Sequence, residues 1–244
     1  VGARATGLIL AVAAVLASIV PLSAQAGAQR HEPLSASVQA RLQRNVADAG
    51  ITRSAFDDEA GARAWIAALS PRLASRLPDA EGREEFLLAA HYEALRAGLD
   101  PLLVLGLIQV ESNFRKYAVS RAGARGFMQV MPFWVQSIGT PDHNLFHLRT
   151  SLRYGCTILR HYLDLERGDI ARALARYNGS LGRRTDYPDS VMAAWHRLAA
   201  AMRQPRYPGR ASRPVGRTVR PAAAGQETSE AAAMRPAEGR QARS

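Results

Sequence analysis

The sequence is short of several things at once. Of its 244 residues one is cysteine, Cys156, so no intrachain disulfide can form and no Cys-rich metal framework exists. Cys156 lies in the apolar stretch "YGCTIL", where it reads as a small core residue. Lysine is almost absent too. Lys116 is the only one, and every other basic residue is arginine. Strict apolar/polar alternation is missing, which argues against strands and sheet-based folds. The histidines are scattered, and His143 with His147 in "DHNLFH" has the i,i+4 spacing of a ligand pair without a further ligand beside it. There are no internal repeats. Acid is lacking in one place that matters: from Ser112 to Pro141 there is no Asp or Glu.

What is present bounds the rest. The chain is 47% hydrophobic and 22% charged, enough for one sizeable core with appendages. The formal net charge is +11, with a pI near 10.8. Arginine bias of this kind fits either a GC-rich coding genome or a polyanionic partner such as nucleic acid, anionic lipid or an acidic wall polymer, and charge alone does not choose. Residues 1–26 read as an export signal: Arg4 before the apolar "LILAVAAVLASIV", then an A-x-A site at Ala24-Gln25-Ala26. A retained membrane anchor is the other reading of that segment. Export predicts a periplasmic, wall-associated protein and argues against nucleic-acid binding. Residues 27–80 read as a loosely packed helical lead-in or linker. Residues 81–203 are the dense part, helical throughout. Residues 204–244 read as a disordered basic tail, eight arginines against three glutamates with little to bury. The lead-in or the tail could serve an envelope-complex partner.

Within 81–203 the helix signals are local and physical. "EGREEFLLAAHYEALRAG" has periodic apolar positions and closes at Gly98. Asp100-Pro101 supplies a capping acid and a proline at the first helical position. The run 101–112 is apolar nearly all round, which predicts a central buried helix. "GFMQVM" reads as a short helix stopped by Pro132, and "FWVQSIG" as another turn or two. A long helix is expected from Leu148 to Glu166, a short one from Asp169 to Tyr177, and a last one from Pro188 to Met202. The fold class is therefore all-α.

"VLGLIQVESNF" sets Glu111 at the end of that greasy helix, with Leu107 and Ile108 on its face. Apolar surroundings disfavour the charged carboxylate, and the negative pole of the helix dipole disfavours it further, so both raise its pKa. A carboxylic acid held protonated near neutral pH suits general acid catalysis; a frayed, solvent-facing helix end is the structural alternative. The loop "SRAGARGFMQVMP" has glycines that let backbone approach a ligand. Ser112, Ser120 and Gln129 offer donors and acceptors suited to sugar hydroxyls and acetamido groups. Tyr177 and Asn178 stand together where a helix opens into "NGSLG".

"ESNFRKYAVSRAGARGFMQVMP" resembles the signature of the soluble-type lytic transglycosylases, which share a goose-type lysozyme-like fold. The residues that carry the resemblance are Glu111, Ser112, Phe114, Ser120, Gly123-Ala124, Gly126, Met128-Gln129 and Met131-Pro132, with "ALARYNGS" as a second motif. Phe127 replaces the usual leucine, and Trp134 stands where that family often has threonine, which implies an altered sugar subsite. The resemblance covers about residues 84–198. It implies non-hydrolytic cleavage of the MurNAc-β-1,4-GlcNAc bond of peptidoglycan, with Glu111 as the single catalytic acid and base. Ser112, Ser120, Gln129, Tyr177, Asn178 and Tyr187 would hold the sugar. No metal or other cofactor is implied, and a monomer acting on glycan strands is expected. A hydrolytic muramidase using Asp142 or Asp186 to orient water, and a non-catalytic wall-binding scaffold, are the rival readings.

Overall fold

A computed structural model describes residues 29–47 and 59–202. The expected export signal and basic tail, and the rest of the lead-in, lie outside the described residues. Within them the chain is all-α: α1 Ala36–Ala47, α2 Glu59–Leu73, α3 Ala80–Arg96, α4 Pro101–Glu111, α5 Phe133–Ile138, α6 Leu148–Leu165, α7 Ile170–Tyr177 and α8 Tyr187–Met202.

Helix starts follow the capping chemistry. The Asp79 side chain accepts from the Gly82 amide at the head of α3, Asp100 from Leu102 at the head of α4, and Asp169 from Arg172 at the head of α7. Each bond satisfies an amide that the first turn leaves without a partner, worth about 1 kcal/mol. α4 is the hub, with Leu103 through Ile108 all buried. It packs against α8 at Gly106, where a Cβ would come within 2.9 Å of the Trp195 backbone nitrogen and 3.2 Å of the Val191 carbonyl oxygen. α3 also packs against α4, and the shared core takes Phe86, Leu87 and Ala90 from α3 and Leu152, Ile158 and Leu159 from α6, which packs on α3. Fully burying one such Leu or Phe contributes roughly 1.5–3 kcal/mol, so this apolar set is the main source of stability.

Two regions differ from the sequence expectation. The lead-in helices are not loosely attached: Leu42 and Val46 of α1 and Trp65, Leu69 and Leu73 of α2 are buried in the same core. The Trp65 indole also donates to the Leu87 carbonyl of α3 at 3.1 Å. Pro71 falls in the last turn of α2. The second difference is "GFMQVM". It is not a helix but a run of turns held by isolated bridges, Val119 to Arg125 and Arg125 to Val130. Gln129 has φ +49°, a left-handed conformation no right-handed helix contains.

Candidate functional site

α4 ends at Glu111, and the chain turns sharply there. Asn113 and Phe114 have φ of +49° and +63°, unusual for residues with a Cβ and typical of backbone over-determined by its surroundings. Phe114 is pinned edge-on to Phe86, with ring centroids 5.7 Å apart. Ser112 fixes the turn from the other side: its buried hydroxyl donates to the Phe127 carbonyl at 2.7 Å, tying the end of α4 to the motif loop.

Glu111 itself is 3% exposed. One carboxyl oxygen, Oε1, accepts from the Tyr187 hydroxyl at 2.5 Å. The other, Oε2, is buried and has no hydrogen-bond partner among the described residues. Burial raises its pKa from 4.5 to about 8, against a smaller lowering by the Tyr187 hydrogen bond. At neutral pH the group is therefore a protonated acid with one oxygen uncommitted. Burial pushes the Tyr187 and Tyr177 phenols well above their ordinary values, and the nearby Glu111 charge adds to both.

The motif loop wraps this acid. The Gln129 amide nitrogen donates to the carbonyls of Ala118 at 3.1 Å and Gly126 at 2.9 Å, which holds the loop closed. Gly126 has φ +74°, and a Cβ there would collide with the Leu145 carbonyl, so glycine is required. Gly155 of α6 plays the complementary part: a Cβ would come within 2.7 Å of the Met128 Cβ. The Tyr177 hydroxyl donates to the Met128 carbonyl at 2.8 Å, joining the second motif to the first.

Of the residues singled out from sequence, Glu111, Tyr187 and Tyr177 are thus neighbours, and Ser112 and Gln129 reach them through the loop backbone. Ser120 sits at the far turn of the loop, where its hydroxyl accepts from the Ala124 amide at 3.1 Å. Asn178 caps α7 directly after Tyr177 and is buried. Trp134 is buried on α5 against His161 and Tyr162, its indole nitrogen without a partner among the described residues. Asp142 and Asp186 are both exposed. The Asp142 carboxyl is lowered by its hydrogen bond to Thr140.

One residue at the site carries no sequence signal. Gln29 is buried, and its carbonyl oxygen accepts from the Met131 amide at 3.1 Å while its amide nitrogen donates to the Gln129 carbonyl at 3.4 Å. It stands a hundred positions before the loop it touches, so no local pattern could reveal it.

The stretch of chain that holds these residues is similar to known proteins. Residues 89–196 match the family model described as Transglycosylase SLT domain. A transglycosylase of Enterobacteria phage PRD1 is 37% identical over 100 residues, 38% of this chain and 37% of that protein. The membrane-bound lytic murein transglycosylase C of Actinobacillus pleuropneumoniae serotype 5b (strain L20) is 48% identical over 48 residues, 20% of this chain and 13% of that protein. Its namesake in Haemophilus influenzae (strain PittEE) is 54% identical over 39 residues, 16% and 11% of the two chains. The matched segments thus span well under half the length of these relatives. Over residues 89–196, this chain carries a domain of the transglycosylase SLT family.

Proposed function

We propose that the protein is a peptidoglycan lytic transglycosylase that cleaves the MurNAc-β-1,4-GlcNAc bond without water and leaves 1,6-anhydromuramic acid ends. The observation that carries this reading is the state of Glu111, buried, held protonated up to about pH 8, with Oε2 uncommitted. A retaining glycosidase sets two carboxyl groups about 5–5.5 Å apart and an inverting one about 6.5–9.5 Å. Among the described residues the one other buried acid is Glu93, and it is engaged by Arg96 and Arg153. A lone acid favours a reaction in which the substrate brings its own nucleophile.

Glu111 donates its proton to the glycosidic oxygen, and the bond from that oxygen to muramic C1 breaks. The muramic 2-acetamido group supports the oxocarbenium-like centre, as in substrate-assisted hydrolases. The Tyr187 hydroxyl, already donating to Oε1, steadies the carboxylate that results. That carboxylate then takes the proton of the same sugar's 6-hydroxyl as its oxygen bonds to C1. The ring closes, Glu111 is protonated again, and no water is consumed. Ser120, Asn178 and Tyr187 contact the sugar in this reading, while Ser112, Gln129 and Tyr177 act through the loop backbone they fix. The work is done on the wall in the periplasm, where a basic protein meets carboxylate-bearing peptide stems.

The test is digestion of purified sacculi, followed by mass spectrometry of the products. Anhydromuramyl ends that vanish with Glu111→Gln support the proposal. Reducing ends would make the protein a hydrolase, and an absence of any cleavage would make it a wall-binding module.

A further inference from the structure

The segment before α1 is held on the site by contacts that are unusually complete for an extended stretch. Gln29 is 4% exposed, whereas Arg30, His31, Glu32 and Pro33 are exposed. Its carboxamide is engaged at both ends, by the Met131 amide and the Gln129 carbonyl, and it also lies within hydrogen-bonding reach of the Tyr177 hydroxyl. Tyr177, like Tyr187, lies close enough to Glu111 for a charge there to raise its phenol. The rest of the segment is latched from outside. The Glu32 carboxylate accepts two bonds from Arg176, each 3.1 Å, and the His31 ring meets Phe133 edge-on at 5.2 Å. Leu34 packs on the core.

A carboxamide offers a carbonyl acceptor and an N–H donor on one carbon. So does the acetamido group of an N-acetylhexosamine. The Met131 amide and Gln129 carbonyl are therefore a donor and an acceptor that a single carboxamide bridges on the motif loop, and the chain fills them with its own side chain. If the segment were only a structural tie, a hydrophobic anchor would serve with no buried polar group to satisfy. We propose that Gln29 is an internal occupant of an acetamido subsite next to Glu111, and that residues 29–34 form a strap which N-acetylated glycan displaces on binding. The proposal rests on the reading of the Glu111 groove as a glycan site. It means that the free protein holds part of its groove closed, and that apparent affinity is reduced by the fraction of molecules in which the strap is seated.

The experiment titrates the whole chain with tri-N-acetylchitotriose, a binding measurement in which no bond need be cut. Gln29→Ala is expected to bind the trisaccharide roughly three- to tenfold more tightly than wild type, since the competing hydrogen bonds are gone. Glu32→Gln, a surface change that loosens the latch and leaves the core intact, is expected to tighten binding to a smaller extent. Saturating trisaccharide should also speed tryptic cleavage after Arg30 as the strap lifts, read by mass spectrometry at that one bond. Unchanged, weaker or undetectable binding by both variants, or protection of the Arg30–His31 bond by the sugar, overturns the proposal. Failure of sacculus cleavage with displacement intact would instead sink the lytic reading and leave the strap standing.

Discussion

Among the described residues two glutamates lie inside the fold, and their surroundings could hardly be less alike. Glu93 of α3 is 1% exposed and Glu111 of α4 is 3% exposed. Glu93 is gripped by two arginines: Arg153 reaches one oxygen at 2.9 Å and Arg96 the other at 2.9 Å, while Arg96 goes on to the Asn45 carbonyl of α1. Its charge is matched, and it ties three helices together. Glu111 has a neutral phenol on one oxygen and, among the described residues, no hydrogen-bond partner on the other. Burial is nearly equal, so burial alone is not what sets the two acids apart. Compensation is. A buried carboxylate with partners is a knot, and one without them keeps its proton and is able to give it away.

Exchanging each acid for its amide tests that contrast, and the two substitutions should fail in opposite ways. Glu111→Gln should lower release of anhydromuropeptides by about 10²–10⁴-fold, the usual worth of a general acid, with the fold retained. Glu93→Gln should leave activity per folded molecule near wild type but cost about 3–5 kcal/mol, because two arginines lose their charge partner. Denaturant melts beside single-turnover assays separate these outcomes, and a stability loss at Glu111 with none at Glu93 would reverse the argument.

The pH dependence sharpens the contrast further. In the folded state Glu111 holds its proton up to about pH 8, whereas its ordinary value is 4.5. Between those limits the folded chain binds one proton more than the unfolded chain, so this group's contribution to stability falls as pH rises through that window. Melts from pH 5 to 9 should show a decline of a few kcal/mol in the wild type that Glu111→Gln abolishes. Activity should fall over the same upper limit, as the acid loses its proton. The smallest expected effect is at Tyr187. Its hydrogen bond lowers the Glu111 pKa, so Tyr187→Phe should move the alkaline limb of the pH–rate profile to higher pH, and cost about 1 kcal/mol of stability. A limb that moves to lower pH, or stays put, would mean the phenol does not tune the acid.

The parts of the fold that could be read from sequence were those specified within a few residues. Asp100 and Asp169 announce their helices because the cap and the amide it accepts from are two or three positions apart. Glu111 was legible for the same reason, since the apolar turn that buries it immediately precedes it. "GFMQVM" was misread because its apolar spacing resembles a helix, while its real conformation is set from outside, by Arg125 pairing with Val130 and by Gln129 reaching back to Ala118. The lead-in was misjudged because its five buried apolar side chains are spread thinly through polar sequence.

The sequence by itself determined an all-helical chain with a solitary acid at the end of its most apolar helix, since periodicity, caps and the lack of neighbouring carboxylates are properties of nearby residues. Only the tertiary structure decided that Tyr187 would sit on that acid, that one oxygen would be left over, and that Gln29 would close on the loop from a hundred residues away. Those are matters of which surfaces meet when the chain folds, and contacts between distant segments are fixed by packing that no local stretch encodes.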